Sequence, residues 1–207
     1  MPFNIVILGS GRGSNAEALL KAEQQGELAG GQIVALFADQ PQAGILDVGR
    51  AFNKHIAYID PGRKGARFST DGEDAYLATI NALKPDLVVL AGFMRIISRR
   101  FIAAFKGRVI NLHPSLLPCF PGLDALGQAI AAGVRVAGCS VHWVTPELDA
   151  GPIIDQAAFR IDPAADPQLA RQALTTAEHA LLPKVVAAIA NGEVKPPMLE
   201  LMTFNYL

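Results

Sequence analysis

The sequence predicts an α/β protein with a mostly parallel, doubly wound sheet, an antiparallel edge hairpin and a C-terminal helix. Short apolar runs typical of strands alternate with segments of helical periodicity, and the connections between them are short. Leu87 to Gly92 is a nearly continuous apolar run, as expected for a strand that is covered on both faces. Hydrophobic residues make up 51% of the 207 residues, which suits one sizeable core around such a sheet.

The first half of the chain repeats a strand-then-helix order typical of Rossmann-like sheets. Only Asn4 interrupts the first apolar run, and a helical pattern follows a glycine-rich stretch. A region rich in glycine and basic residues, Pro61 to Gly72, is predicted to be a loop. The predicted elements are a strand Phe3 to Leu8, a helix Ala16 to about Gly26, a strand Gln32 to Ala38, a helix from about Ala43 to Asn53, a strand Ile56 to Ile59, a helix from about Glu73 to Leu83 and a strand Leu87 to Gly92.

The second half predicts the remaining strands and the C-terminal helix. Pro183 lies inside that helix and is expected to kink it or to split it in two. Met198 to Leu207 is predicted to form a terminal strand or a segment that contacts a partner. The other predicted elements are a strand from Val109 that stops before Pro114, a loop and helix over Pro121 to Gly133, a strand Cys139 to Val144, an antiparallel return Ile153 to Ile161 and the helix from about Asp166 to Asn191.

The glycine-rich stretch between the first strand and the first helix is a candidate phosphate-binding loop. Backbone N–H groups and the helix dipole at such a junction favour an anion. Gly13 allows the tight backbone turn at this junction. Ser14 and Asn15 can cap the helix or donate hydrogen bonds to a phosphate. Two alternatives stay open: a tight turn that needs glycine only for packing, and a dinucleotide loop of the form G-x-G-x-x-A with Asp39 on the ribose.

Asn111 and His113 lie at the carboxyl end of a predicted strand that Pro114 terminates. Because a strand alternates its faces, these two side chains are predicted to point the same way, with Ile110 and Leu112 pointing the other way. Ligands bind at this end of open parallel sheets. The pair therefore indicates a hydrogen-bond donor and a proton carrier in one site, although a buried histidine and a turn-capping asparagine would also explain them.

Two further segments carry open alternatives. Phe93 to Ser98 leaves the end of a buried strand, so its apolar residues either cover the core or line a pocket, and Arg95 is either a surface charge or part of that pocket. Asp149 precedes Ala150-Gly151-Pro152, where an aspartate commonly stabilises a turn through nearby backbone groups.

Charge and composition argue against several classes of partner. A net charge of −1 gives no electrostatic reason to expect nucleic acid or an anionic membrane. No secretory signal and no apolar span of membrane length is predicted. Cys119 and Cys139 lack metal-ligand spacing and the four histidines are scattered, so we predict a cytoplasmic protein without a metal.

Three segments together resemble a known family. They are AGFMRIIS (91–98), INLHPSLLPCFPGL (110–123) and SVHWVTPELDAGPII (140–154). With the loop at 11–15, they make the chain similar to the glycinamide ribonucleotide formyltransferases, the folate-dependent enzymes of purine synthesis, from about residue 3 to residue 192.

The resemblance implies an activity, its substrates and a set of site residues. The formyl group of 10-formyltetrahydrofolate would pass to the amine of glycinamide ribonucleotide without a metal. Residues 1–207 would form a single formyltransferase domain, with the nucleotide phosphate loop in the N-terminal half and the folate and catalytic site in the C-terminal half; a homodimer is left open. The implied residues are the catalytic trio Asn111, His113 and Asp149; Gly13, Ser14 and Asn15 for the phosphate; Glu178 for the nucleotide substrate; and Met94, Arg95, Ile96 and Ile97, with Asn111, for the folate.

The chain departs from the family pattern at several positions. Asp124 and Leu126 stand where many relatives carry two histidines. The arginine that often meets the folate tail has no clear counterpart, and Arg63 or Arg67 is expected to replace it. Thr175 stands where a longer polar side chain can contact the nucleotide.

Three other functions compete with this interpretation. A formyltetrahydrofolate hydrolase shares the Asn, His and Asp set but uses water as the acceptor. A dinucleotide-dependent oxidoreductase would use the glycine loop and Asp39. A nucleotide-binding regulatory module could keep the fold without the activity.

Overall fold

The strands form one mixed sheet. This computed structural model describes residues 2–162, 164 and 166–197, and the segment predicted over Met198 to Leu207 lies outside them. Within the described residues the strand order is β3-β2-β1-β4-β5-β6-β7. The strands are β1 (Phe3–Gly9), β2 (Gly31–Ala38), β3 (His55–Tyr58), β4 (Leu87–Leu90), β5 (Val109–His113), β6 (Val136–Trp143) and β7 (Ile153–Arg160).

Strand direction confirms the predicted fold class. Strands β1 to β5 are parallel. Strand β6 runs antiparallel to β5, and β7 returns antiparallel to β6 as the sheet edge. The carboxyl ends of β1 to β5 therefore meet at one end of the sheet, where parallel α/β sheets bind ligands.

Helices cover both faces of the sheet because strand residues alternate between two apolar clusters. Ile5 and Ile7 pack with α1, α2, α5 and α6, whereas Val6 and Leu8 pack with α3 and α4. The helices are α1 (Ser14–Gln24), α2 (Gly44–Ala51), α3 (Thr70–Ala82), α4 (Arg99–Ala104), α5 (Ala125–Ala131) and α6 (Pro167–Ala190). None of these helices has the length and apolar character needed to span a bilayer.

Side-chain caps explain why two helices begin at residues that the sequence did not predict. Helix α4 was not predicted; Ser98 begins it by accepting a hydrogen bond from the Phe101 N–H at 3.0 Å. Helix α3 begins inside the predicted loop, because Ser69 accepts from the Gly72 N–H at 3.0 Å.

Pro183 does not split the last helix, since α6 runs unbroken from Pro167 to Ala190, and the kink that was the other expected outcome stays a prediction. A proline in a helix interior costs about 3 kcal/mol. Buried residues on both sides of it, among them Leu182 and Val186, pack into the main core and hold the helix together.

Candidate active site

Strand β5 presents Asn111 and His113 on one face of the sheet, as predicted. Ile110 and Leu112, which alternate with them, belong to the main apolar cluster on the other face. Asn111 pairs with Leu90, so the two polar side chains lie next to the carboxyl end of β4.

Asp149 lies against His113. One carboxylate oxygen, Oδ2, is 3.4 Å from His113 Nδ1, and the two side chains are only 8% and 5% exposed. The same oxygen accepts a hydrogen bond from the Gly122 N–H at 2.8 Å, which fixes the carboxylate. Asp149 therefore does more than stabilise its own turn, and its position suits a group that orients the imidazole.

The other ring nitrogen of His113 is 2.9 Å from the Phe120 carbonyl oxygen. Both ring nitrogens thus face oxygen atoms that can accept a hydrogen bond. The loop that carries Phe120 covers the imidazole. A substrate group must take the place of this carbonyl to receive a proton from His113.

His142 also belongs to the site, and sequence reasoning missed it. It pairs directly opposite Asn111, and its Nε2 is 3.2 Å from Asn111 Nδ2. Its Nδ1 is 3.0 Å from the Trp143 carbonyl oxygen, which can only accept, so we assign the hydrogen to Nδ1 and the acceptor role to Nε2.

Burial keeps His142 neutral. Desolvation lowers the pKa of His142 despite the opposing effects of the Trp143 carbonyl and of Asp149. A neutral His142 accepts one hydrogen of the Asn111 amide and leaves the second hydrogen for a ligand. Only the antiparallel register of β5 and β6 reveals this contact.

Ser140 fixes the loop that follows β5. Its buried hydroxyl donates to the Ser115 carbonyl at 2.7 Å and accepts from the Leu117 N–H at 3.0 Å. Gln156 on β7 donates to the same oxygen at 2.8 Å. The antiparallel edge of the sheet thereby anchors the start of the loop that covers His113.

The glycine-rich loop has the geometry of an anion site. Gly13 is the N-cap of α1 and has φ +84°; no side chain caps the helix. An added Cβ would lie 2.6 Å from the Ile45 Cα, so only glycine fits this turn against α2. Ser14 and Asn15 follow as the first helical residues, and the positive end of the helix dipole points outward here.

Helix α6 brings Glu178 to this loop. Asn15 Nδ2 donates to Glu178 Oε2 at 3.1 Å. Burial raises the pKa of Glu178, although the Asn15 amide and the nearby charge of Arg12 act the other way. The buried Asn15 Oδ1 has no hydrogen-bond partner among the described residues. The phosphate and nucleotide residues expected from the sequence thus lie together.

The side chains of residues 94–97 differ in their exposure to solvent. Met94 and Ile96 are 58% and 37% exposed, whereas Arg95 and Ile97 are buried. The Met94 N–H donates to Ser10 Oγ at 2.8 Å, so the segment lies directly beside the glycine-rich loop. Its exposed apolar side chains, Met94 and Ile96, form a small apolar surface beside that loop.

Arg95 is not a surface charge. Its Nε lies 2.6 Å from Asp39 Oδ2, and the two side chains are 5% and 2% exposed. Asp39 Oδ2 is therefore engaged in a buried ion pair, and although Oδ1 has no hydrogen-bond partner among the described residues, the carboxylate is buried away from a ribose hydroxyl. This contact argues against the dinucleotide alternative.

Comparison with known proteins decides the family. A family model described as formyl transferase matches residues 3–186. The chain belongs to the formyl transferase family. Phosphoribosylglycinamide formyltransferase of Bacillus subtilis (strain 168) is 37% identical over 180 residues, which are 87% of this chain and 91% of that protein. The enzyme of the same name from Escherichia coli (strain K12) is 38% identical over 193 residues, 93% of this chain and 90% of that protein.

Solved structures of formyl transferases have the same fold. Glycinamide ribonucleotide transformylase 1 from Symbiobacterium toebii superposes with a TM-score of 0.86 at 36% identity, covering 92% of this chain and 89% of that one. Phosphoribosylglycinamide formyltransferase from Coxiella burnetii gives a TM-score of 0.86 at 37% identity, covering 94% and 90%. The predicted family resemblance is thereby confirmed.

Positions that depart from the expected family pattern lie at the start of α5 and in the loop before α3. Asp124 is the exposed N-cap of α5 with φ +51°, and Leu126 is buried in the main core. Arg63 donates to the Arg67 carbonyl at 3.0 Å, and both side chains lie on an exposed loop.

A cavity of about 440 Å³ lies between α1 and α6. Ser14 and His179 line it, but no member of the catalytic trio does. The candidate site is therefore identified from the contacts among its side chains at the end of the sheet, and not from this cavity. No group of three or more His, Cys, Asp or Glu that could hold a metal ion occurs in the part of the chain that the structure describes.

Proposed function

We propose that the chain is a phosphoribosylglycinamide formyltransferase that moves a formyl group from 10-formyltetrahydrofolate to the amine of glycinamide ribonucleotide. The observation that carries the proposal is the contact of Asp149 with His113 beside Asn111. The sequences and folds of the Bacillus subtilis and Coxiella burnetii enzymes support it. The single domain expected over residues 1–207 is part of this proposal.

The two substrates would approach from neighbouring sides of the sheet end. The nucleotide phosphate would bind at Gly13, Ser14 and Asn15, where the helix dipole favours an anion. Glu178, held by Asn15, would contact the nucleotide. The folate would lie along the 94–97 segment, over the exposed side chains of Met94 and Ile96.

Asn111 would stabilise the tetrahedral intermediate. Attack of the substrate amine on the formyl carbon places negative charge on the formyl oxygen. One amide hydrogen of Asn111 binds His142, so the other can donate to this oxyanion. Loss of one such donor typically lowers the rate by ~10²–10³.

His113 would act as the general acid. The folate nitrogen leaves readily only when it is protonated, and a positioned acid typically contributes roughly 10²–10⁴-fold. Asp149 would orient the ring through its contact with Nδ1. Asp149 could also order a water that relays the proton of the amine, and no covalent enzyme intermediate is needed.

Arg95 and Ile97 would contact the folate only through their backbones. Their side chains are buried, Arg95 against Asp39 and Ile97 in the second apolar cluster. The proposed side-chain surface for the folate is therefore smaller than the sequence alone indicates.

One assay tests the proposal and separates it from its rivals. Purified protein is incubated with 10-formyltetrahydrofolate, with and without glycinamide ribonucleotide, and deformylated folate is measured. Release of deformylated folate only with the amine is expected. Equal release without it would identify a hydrolase, and no release in either mixture would contradict the proposed activity. Titration with NAD(P)H checks the dinucleotide alternative, and we expect no binding.

A further inference from the structure

We propose that the Arg95–Asp39 ion pair is a positioning device that holds the loop between β3 and α3, residues 60–69, in place for the folate co-substrate. We call this segment the basic loop. The inference rests on the proposed function for its substrate, but its structural part can be tested without turnover.

The ion pair joins two strand ends that are not neighbours. Asp39 directly follows β2 and Arg95 follows β4, and strand β1 lies between them in the sheet. Both side chains are almost fully buried, at 2% and 5% exposed. A buried charge is stable only with its partner, so each residue holds the other in place.

The same guanidinium binds the basic loop. Arg95 Nη1 donates to the Arg63 carbonyl at 3.1 Å and also to the Gly65 carbonyl. The next residue continues the contact, because the Ile96 N–H donates to the Ala66 carbonyl at 2.7 Å. Three loop carbonyls are therefore held by the segment that presents Met94 and Ile96 to the site.

The basic loop carries a positive charge that the ion pair would keep beside this surface. Arg63, Lys64 and Arg67 are exposed, and Asp60 at the start of the loop is its one acidic residue, so three cations stand against one carboxylate. A co-substrate with a heterocycle on Met94 and Ile96 and a carboxylate tail would extend towards these cations. Because the tail charges act only when the loop is ordered, the Arg95 side chain affects folate binding without touching the folate.

Arginine is required at this position for a geometric reason. Its planar fork places several N–H donors at fixed angles, so one group can reach a carboxylate and two carbonyls together. A lysine keeps the charge but presents a single ammonium. We therefore expect Arg95→Lys to retain the pairing with Asp39 and to release the loop.

The test compares Arg95→Lys and Asp39→Asn with a matched exposed pair. Arg100 and Asp74 form an ion pair of 2.5 Å whose side chains are 55% and 50% exposed, so Arg100→Lys and Asp74→Asn are the controls. Limited trypsin digestion reports on the loop, since the enzyme cleaves after Arg63, Lys64 and Arg67. Cleavage in the loop should become about tenfold faster or more in the Arg95 and Asp39 variants, as expected for loss of hydrogen bonds to a charged group. The controls should match the unsubstituted protein.

Steady-state kinetics give the second measurement. The KM for 10-formyltetrahydrofolate should rise about tenfold or more in Arg95→Lys, whereas kcat and the KM for glycinamide ribonucleotide should change less than about twofold. Equal losses in kcat and in both KM values would overturn the proposal, as would unchanged trypsin cleavage.

A second variant keeps the test decisive if the buried substitutions prevent folding. Gly65 has φ +89° and open space around it, so Gly65→Ala would strain the loop backbone at the residue whose carbonyl Arg95 binds, without a steric clash. It should raise the folate KM and speed cleavage in the loop with little change in Tm; no effect on either would contradict the inference. If the unsubstituted protein transfers no formyl group, the proposed function fails, and digestion alone still decides whether the ion pair holds the loop.

Discussion

Replacement of Gly13 by alanine tests the glycine-rich loop with a magnitude that follows from the structure. The added Cβ would lie 2.6 Å from the Ile45 Cα and 3.1 Å from the Ile45 backbone N, so α2 itself has to move. An L-residue in the left-handed region costs about 1–2 kcal/mol, and overpacking typically costs about 1–3 kcal/mol more. The free energy of unfolding should therefore fall by about 2–5 kcal/mol, or roughly 4–20 °C in Tm for a protein of this size.

Gly11 provides the matched control in the same loop, because a Cβ there would meet no atom within 4 Å. Urea unfolding of Gly13→Ala and Gly11→Ala gives the two free energies. The KM for glycinamide ribonucleotide should rise in Gly13→Ala, since the helix N-terminus moves with the turn. Losses in the two variants that agree within about 0.5 kcal/mol would refute the steric argument.

Three further predictions concern the side chains of the site. Because burial lowers the pKa of His142 below 6.5, the unfolded chain binds more protons in that range, and the free energy of unfolding should fall as pH drops through about 6.5. Urea unfolding at pH 5.5 and 7.5 should show a smaller difference in His142→Gln; an unchanged difference would exclude this cause. Asn15→Asp puts a second carboxylate beside Glu178 and should raise the KM for glycinamide ribonucleotide about tenfold with little effect on the folate KM, whereas equal increases would contradict the phosphate-loop assignment. Asn111→Ala should lower kcat by ~10²–10³ while the circular dichroism spectrum stays unchanged. A near-normal rate would exclude the proposed role of Asn111 in stabilising the oxyanion.

The sequence predicts strands such as β1 and β4 well because they are apolar runs that end at or near a glycine. Leu87 to Gly92 illustrates both the success and its limit. The strand is there, but it ends at Leu90, since Gly92 turns the chain at φ +70°. Helix α4 was missed because its start depends on the side-chain cap from Ser98.

Apart from the family resemblance, which also named Asp149 and Glu178, the candidate site was predictable only where neighbouring residues carry the information. Asn111 and His113 share a face because they are two residues apart in one strand. The contacts of His142 and Asp149 depend on the antiparallel strands β6 and β7, whose register cannot be obtained from apolar pattern alone. The burial of Arg95 was likewise unpredictable, since its partner follows a different strand.

A double-mutant cycle on kcat/KM for formyl transfer tests most directly whether Asp149 acts through His113. His113→Ala and Asp149→Asn should each lower kcat/KM by roughly 10²–10⁴. The double variant should lose no more than the worse single variant, because residues that act as a unit are not additive. If the two losses multiply, or if either variant keeps a near-normal rate, the contact between these two residues does not carry the reaction.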